Sequence, residues 1–297
     1  MNYTLRQLQV FVEVVKHESV TRAAESLHMT QPAVSIQLRN FQQQFDIPLT
    51  EIVGKKLFVT DYGRAIAEVA DNVLQEAEAI NYRTKSYQGL LTGKLKISSA
   101  STGKYVMPYF LSNFLARHPD IDLVLDVTNK QRVINSLTKN EIDFALVSVL
   151  PLGIDINEEQ LLENKLYLVG NTPQYNPDAP LIFREAGSAT RVSMDRYFNE
   201  VTGRKQIELT SNEAVKQAVV AGIGYSIIPL IGIKNELQAG VLHVIPSQGL
   251  PIVTNWRLVW LKEKKLSPVA AAFLQYLRAE KNALIEEHFQ WYLDYKF

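Results

Sequence analysis

Three polar side chains, Gln31, Ser35 and Arg39, recur at every fourth position of one segment. On an α-helix this spacing places them along one face. In the major groove of DNA, glutamine can pair bidentately with adenine and arginine with guanine, and a residue as small as Ala33 can touch a thymine methyl group. The pattern is typical of a DNA-reading helix, although a three-helix bundle with a solvated polar face explains the spacing equally well.

Hydroxyl groups suited to anion binding follow predicted strands later in the chain. Residues 99–104 read SASTGK and residues 184–191 read REAGSATR, and each run stands between a predicted strand and a predicted helix. Ser148 ends a further predicted strand. Hydroxyls and the free N–H groups of a helix N-terminus can hold an anion together. Taken alone, each run is better explained as a helix cap, and only their convergence in one cleft would favour a ligand site.

No combination of residues predicts an enzyme. The chain has no cysteine, which excludes disulfides, thiolate catalysis and cysteine-ligated zinc. Its five histidines show neither metal-ligand spacing nor a neighbouring serine–acid pair. A P-loop is absent, and the run Ala221–Gly224 is too short for a dinucleotide fingerprint. We therefore expect neither enzymatic activity nor a cofactor.

Short helices in residues 1–62 must position the first set of side chains. A second helix is predicted from Ser19, a plausible cap, and a third from Thr30, with Pro32 in a first turn that needs no N–H group. The segment from Val53 to Thr60 predicts a β-hairpin. The first helix is indicated by an apolar stripe at helical spacing: Leu5, Leu8, Phe11, Val12 and Val15.

One long helix is predicted from Tyr62 to Leu91. Small and apolar residues recur along it with heptad spacing, at Ile66, Ala70, Val73, Ala77, Ile80, Thr84, Tyr87 and Leu91. A long helix with a narrow apolar stripe needs a partner helix, whereas a helix lying on its own domain would show a broader apolar face. The pattern favours dimerisation through this helix.

Strands and helices alternate from residue 93 onward. Such a succession predicts a mostly parallel sheet covered by helices. Pro268 begins a final helical stretch. The predicted strands are Leu95–Ser99, Ile121–Val127, Phe144–Val149, Lys165–Val169, Leu181–Phe183, Ile207–Thr210, Tyr225–Ile228 and Arg257–Leu261.

Charge gives little support to a nucleic-acid partner. The whole chain has 31 basic and 31 acidic residues, and residues 1–64 carry only one more Lys or Arg than Asp or Glu. DNA binding would therefore require geometry that concentrates a few cations on the phosphates. The N-terminus lacks the features of a signal peptide, and no segment has the length of a membrane span, so we expect a cytoplasmic protein without membrane contact.

The N-terminal segments resemble the LysR-type transcriptional regulators. The run SVTRAAESLHMTQPAVSIQLRNFQQQF carries the likeness, and LRQLQVFVEVV before it and FVTDYGRAIAE after it extend it over the first 90 residues. The resemblance implies that Thr30 and Arg22 lie near phosphates. It places at the groove Gln31, Pro32, Ala33, Ser35 and Arg39.

The segment after the DNA-reading helix departs from the family. Members usually carry an arginine-rich wing there, but this chain has Glu51 where arginine is common. Lys55 and Lys56 are expected to take over the contacts to the DNA backbone.

The resemblance also implies an α/β fold in three parts. These are a winged helix-turn-helix (residues 1–62), a long linker helix (63–92) and a periplasmic-binding-protein-like effector domain of two α/β subdomains (93–297). Subdomain I takes residues 93–168 and 266–297, and subdomain II takes residues 169–265. The chain is expected to cross between them near Val169 and at residues 262–267.

A cleft between these subdomains is the expected effector site. The turn GSATR, with TGKY and SNEAVK elsewhere, resembles the branch that regulates carbon fixation and sulfur assimilation, whose effectors are often anionic metabolites. Arg184 and Arg191 could neutralise a phosphate, sulfate or carboxylate, or form structural salt bridges instead. The other residues expected in the cleft are Ser99, Ser101, Thr102, Asn129, Gln131, Ser148, Ser188, Thr190 and Asn212.

The expected function is therefore that of a DNA-binding transcription regulator controlled by a small, anionic metabolite. The family usually assembles as a homotetramer, built from dimers that pair through the linker helix and are joined by the effector domains. A free solute-binding protein would match the C-terminal half, but not the first 90 residues.

Overall fold

The computed structural model describes residues 2–54, 56–86, 91–198 and 203–295. It divides into two compact units, Met1–Gly89 and Leu90–Phe297. Each unit has a hydrophobic core of its own. No helix in the described residues is both long enough and apolar enough to cross a membrane.

Three short helices build the N-terminal unit: α1 (Leu5–His17), α2 (Val20–Ser26) and α3 (Gln31–Gln42). Each begins at a hydroxyl cap, because the side-chain oxygens of Thr4, Ser19 and Thr30 accept hydrogen bonds from backbone N–H groups three residues ahead. The predicted cap of α2 at Ser19 is thus confirmed, and α3 begins directly after Thr30, where the sequence places its start.

One face of α3 is buried in this unit. Val34, Leu38 and Phe41 lie in a core shared with Phe11 and Ala24, as their helical spacing predicts. Burial of this face orients α3 and leaves its opposite face to solvent.

The wing hairpin consists of β1 (Thr50–Val53) and β2 (Lys56–Val59). It begins earlier than the predicted segment, because Gly54 turns the chain with a φ of 64° and pairs Val53 with Lys56 and Thr50 with Val59. Lys55, which the sequence assigned to DNA contacts, lies outside the described residues.

The long helix α4 covers Asp61–Ser86. Its predicted seam divides, because Ile66 and Ala70 pack into the N-terminal core rather than toward a partner helix. Val69, Val73 and Ile80 are exposed instead, at 60%, 42% and 65% of their full areas. Tyr87 of the predicted seam lies outside the described residues.

The C-terminal unit is a mixed sheet covered by helices. Its strands form the order β10-β6-β11-β5-β3-β4, and β9 also pairs with β6. The strands β7 and β8 pair in a separate two-stranded sheet. The strands are β3 (Gly93–Ala100), β4 (Ile121–Thr128), β5 (Phe144–Val147), β6 (Ile156–Gly170), β7 (Leu181–Arg184), β8 (Gln206–Leu209), β9 (Ser226–Pro229), β10 (His243–Val244) and β11 (Ile252–Leu261).

The prediction of a mostly parallel sheet is wrong for the larger sheet. Only the pairs β3–β4 and β3–β5 are parallel among its described strands, and β6 is antiparallel to β9, β10 and β11. Apolar runs identify strands without revealing their direction.

The large sheet has two parts, one with β3, β4 and β5 and the other with β9 and β10, and the paired strands β6 and β11 connect them. Residues 257–259 of β11 pair with β5, whereas residues 166–169 of β6 pair with β9. Each strand therefore passes from one part to the other within its own length, before the crossings that the sequence placed near Val169 and at residues 262–267.

Six helices and two short 3₁₀ turns complete the described part of this unit. The first 3₁₀ turn, Ser101–Tyr105, follows β3 directly, and the second covers Leu230–Gly232. The helices are α5 (Met107–Arg117), α6 (Lys130–Thr138), α7 (Ala189–Tyr197), α8 (Asn212–Val220), α9 (Lys234–Gln238) and α10 (Pro268–Leu293).

Replacing Gly63 by alanine tests how closely α4 packs against the wing. A methyl group there would stand 2.0 Å from the Leu49 carbonyl oxygen, which also accepts a hydrogen bond from the Thr60 N–H at 3.1 Å. Gly63→Ala is expected to destabilise the N-terminal unit by about 1–3 kcal/mol in denaturant unfolding of the whole chain. The exposed variant Glu68→Ala should change it little, and equal stability of the two variants would contradict the contact.

Candidate functional site

The exposed face of α3 carries the residues that the sequence assigned to DNA. Gln31, Pro32 and Arg39 are exposed, and Ala33 and Ser35 are half-buried beside them. The residue before the helix, Thr30, spends its hydroxyl on capping: the oxygen accepts a hydrogen bond from the Ala33 N–H at 3.4 Å. The Thr30 carbonyl accepts a second hydrogen bond, from the Val34 N–H at 3.1 Å, and Pro32 has no N–H group, so few donors remain at this helix start.

Cations beside this face are not neutralised by the protein. Arg22 and Arg39 are exposed, and neither forms an ion pair with another described residue. Lys56 is likewise exposed at the start of β2, and so is Glu51 of β1. Single unpaired cations of this kind can contact phosphates in a unit with almost no net charge.

A cleft in the C-terminal unit collects the starts of several helices. It has a volume of about 600 Å³, including the space that opens to solvent. The helices α6, α7 and α8 begin at Asn129, Ser188 and Ser211, whose side-chain oxygens accept hydrogen bonds from Arg132, Arg191 and Ala214 N–H groups. Asn129 and Ser188 thus act as caps while also lining the cleft, and the positive ends of three helix dipoles lie near it.

Most of the predicted effector residues line this cleft. Thr102, Ser148, Ser188 and Thr190 are buried and line it. The full set of predicted residues that line it is Ser101, Thr102, Asn129, Ser148, Arg184, Ser188, Thr190 and Asn212.

Three predicted effector residues lie outside the cleft lining. Ser99 is fully buried, and its hydroxyl donates a hydrogen bond to the Ala100 carbonyl at 3.0 Å. Gln131 is exposed and donates to the Asn135 side chain. Arg191 forms ion pairs with Asp195 at 2.8 Å and Glu208 at 2.7 Å. Burial alone lowers the pKa of Arg191, but these two carboxylates raise it above its ordinary value, and the residue serves as a structural salt bridge.

Arg184 reaches the cleft, but its charge is already compensated. Its guanidinium donates two hydrogen bonds of 2.6 Å to the two carboxylate oxygens of Glu185. A third nitrogen lies 3.4 Å from the Ser101 hydroxyl, which also accepts a hydrogen bond of 2.6 Å from the Asn212 amide. Arg184 and Asn212 therefore hold Ser101 in place, and the charge of Arg184 is balanced within the protein.

Lys130 is a second cation of the cleft, and the sequence reasoning missed it. It is the first residue of α6, lines the cleft and forms no ion pair with another described residue. The sequence cue that could have identified Lys130 is its position directly after Asn129, which was predicted to lie in the effector cleft.

Asn164 is a second missed residue. It lies in β6, is 3% exposed and lines the cleft. Its amide nitrogen donates a hydrogen bond of 3.1 Å to the Thr254 hydroxyl, while its side-chain oxygen is buried and has no hydrogen-bond partner among the described residues. Such an unsatisfied polar atom is costly in a folded protein. No pattern in the sequence distinguished Asn164, which lies directly before the predicted strand Lys165–Val169 among other polar residues of β6.

Comparison with known proteins identifies both units. Residues 5–64 match the model of the bacterial regulatory helix-turn-helix protein, lysR family, and residues 88–282 match the LysR substrate binding domain. A RuBisCO operon transcriptional regulator of Allochromatium vinosum is 36% identical, over 94% of this chain and 97% of that protein.

Two solved structures are similar as well. The regulatory domain of Synechocystis PCC6803 CcmR in complex with 2-PG is 31% identical, with a TM-score of 0.60 over 64% of this chain and 98% of that one. Full-length CbnR in complex with its target DNA is 20% identical, with a TM-score of 0.62 over 93% of this chain and 99% of that one, and shares the fold. The chain belongs to the LysR family of transcriptional regulators.

Proposed function

We propose that this regulator is a cytoplasmic homodimer or tetramer whose affinity for its operator changes when a small dianion occupies the cleft. The convergence of three helix N-termini on a hydroxyl-lined cleft with one uncompensated lysine carries the proposal. The CcmR domain with 2-PG supports a metabolite of the same class, such as 2-phosphoglycolate.

The cleft is suited to a ligand with two negatively charged ends. Free N–H groups at the starts of α6, α7 and α8 favour negative charge, and Lys130 adds a full positive charge near the start of α6. The buried hydroxyls of Thr102, Ser148 and Thr190 can donate hydrogen bonds to carboxylate or phosphate oxygens. Arg184 acts through Ser101 because Glu185 balances its charge.

The exposed face of α3 reads DNA in this proposal. Gln31, Ser35 and Arg39 contact base edges, whereas Arg22 and Lys56 contact phosphates. Exposed apolar residues on α4, Val69, Val73 and Ile80, support pairing of two chains through this helix. The dimer would place two α3 helices on half-sites about 34 Å apart.

Regulation follows from a shift between two arrangements of the assembly. A ligand in the cleft favours the arrangement that it binds more tightly, and this changes how strongly the DNA is bound or bent. The shift cannot exceed the difference between its affinities for the two arrangements.

Arginine substitutions distinguish base contacts from phosphate contacts. Arg39→Ala is expected to weaken operator binding by about 1–3 kcal/mol and binding to unrelated DNA much less, as measured by fluorescence anisotropy. Arg22→Ala should weaken binding to both DNAs equally. It should also reduce the steepness of the plot of log binding constant against log salt concentration by about one. Equal losses on both DNAs for Arg39→Ala would remove this residue from the base-reading set.

Threonine substitutions test the cleft. Thr102→Val and Thr190→Val are each expected to abolish the thermal stabilisation by 2-phosphoglycolate, which amounts to about 2.7 kcal/mol at a hundredfold excess over the Kd, and to leave DNA affinity largely intact. The control Arg191→Gln should still respond, since Arg191 lies outside the cleft lining. A valine variant that responds normally would exclude its residue from the site.

Asn164 provides an independent test with two readouts. Asn164→Leu is expected to weaken 2-phosphoglycolate binding roughly fivefold, the loss of about one hydrogen bond. The ligand-free variant should keep about the stability of the unaltered protein, because removal of a buried oxygen without a partner among the described residues offsets the loss of the hydrogen bond to the Thr254 hydroxyl. Calorimetric titration and thermal unfolding measure the two effects, and unchanged ligand affinity would show that Asn164 does not contact the effector.

A further inference from the structure

A second hollow lies in the C-terminal unit, and none of its lining residues lines the effector cleft. Its volume is about 740 Å³, including the space that opens to solvent. The walls come from the end of the first 3₁₀ turn (Lys104 and Tyr105), from Tyr109 of α5, from α9 and from the C-terminal part of α10.

The lysines of this hollow differ in how far their charges are compensated. Lys216 is nearly buried and lies 3.2 Å from Glu213 and 2.7 Å from Glu236. Lys104 stands 3.7 Å from Glu213, beyond hydrogen-bond distance. Lys234 forms no ion pair with any described residue, and its ammonium group lies 5.0 Å from the centre of the Trp291 ring. The hollow therefore presents at least one cation without an acidic partner.

Aromatic rings line the same hollow. Tyr109 is 45% exposed, and its ring centre lies 5.1 Å from that of His288. The Nε2 atom of His288 is shielded from solvent and has no hydrogen-bond partner within the described part of the chain; a carboxylate oxygen of Glu287 lies 3.7 Å from it. Trp291, Tyr109 and His288 thus offer flat apolar surfaces beside positive charge, the combination that suits a ring bearing an anionic group.

We propose that this hollow is a second ligand site, for a small compound with a planar unsaturated ring and one anionic group. The ring packs against Trp291 and Tyr109, and the anionic group faces the ammonium groups of Lys234 and Lys104. An anion without a ring would lose the aromatic contacts, and a neutral ring would leave Lys234 without a counter-charge.

The first 3₁₀ turn connects this second site to the effector cleft. Ser101 and Thr102 line the cleft, whereas Lys104 and Tyr105 of the same turn line the hollow. The two ends of the turn also contact neighbouring residues of α8, since Asn212 donates to the Ser101 hydroxyl at 2.6 Å and the Tyr105 hydroxyl lies 3.2 Å from Glu213. Occupancy of one site should therefore alter affinity at the other by an equal factor in both directions.

Calorimetric titration of the full chain with phenyl phosphate tests the proposal. Inorganic phosphate and phenol serve as controls that each retain one half of the probe. We expect phenyl phosphate to bind at least roughly fivefold more tightly than either control. Binding should persist in the double variant Thr102→Val and Thr190→Val, which removes two hydroxyls from the effector cleft.

Variants of the hollow give the decisive comparison. Lys234→Gln and Trp291→Leu should each weaken phenyl phosphate binding roughly fivefold or more, whereas Trp291→Phe, which keeps an aromatic ring, and Lys139→Gln, an exposed lysine elsewhere, should retain most of it. Thermal unfolding without ligand checks that each variant is folded. The proposal is wrong if phenyl phosphate shows no saturable binding, or if binding is lost in the cleft double variant and unchanged in Lys234→Gln.

Discussion

The antiparallel pairing of β6 with β11 is the interaction on which the effector unit depends. Nine residue pairs join these strands, and a register shift interrupts them between Asn255 and Arg257. Beyond the register shift, residues 257–259 of β11 also pair with β5, and at the opposite end of the pairing residues 166–169 of β6 pair with β9. The cleft residues Asn164 and Thr254 face each other in this pairing, so a ligand that contacts Asn164 also contacts the strands that join the two parts of the sheet.

Local patterns predicted the elements and failed where distant residues decide. The caps at Ser19 and Thr30 and the buried face of α3 follow from residues within one or two helical turns. The direction of β6 does not, because its partners β9 and β11 are far away in sequence. Ile66 and Ala70 belong to a stripe whose spacing favoured a partner helix, but both pack into the N-terminal core, a contact that the local pattern did not reveal.

Most residues of the proposed site could be predicted, because they belong to local strand-to-helix turns. Hydroxyls at strand-to-helix turns converge on the cleft because the fold brings helix starts together, and Thr102 and Thr190 are examples. The sequence left open whether the two arginines bind an anion or form salt bridges. In the structure Arg184 pairs with Glu185, and Arg191 pairs with Glu208. Lack of an acidic partner does not by itself mark a site, since Arg196 also forms no ion pair with the described residues. Lys130 is distinguished by its place in a cleft lined with hydroxyls.

Reciprocal coupling between ligand and DNA is the most direct test of the account. The affinity of the full chain for its operator is measured with and without saturating 2-phosphoglycolate, and the affinity for 2-phosphoglycolate with and without saturating operator DNA. The account predicts two factors that differ from one and equal each other, because both describe a single coupling free energy. Factors of one in both directions, with the ligand bound, would show that the cleft binds a metabolite without controlling the DNA-binding unit.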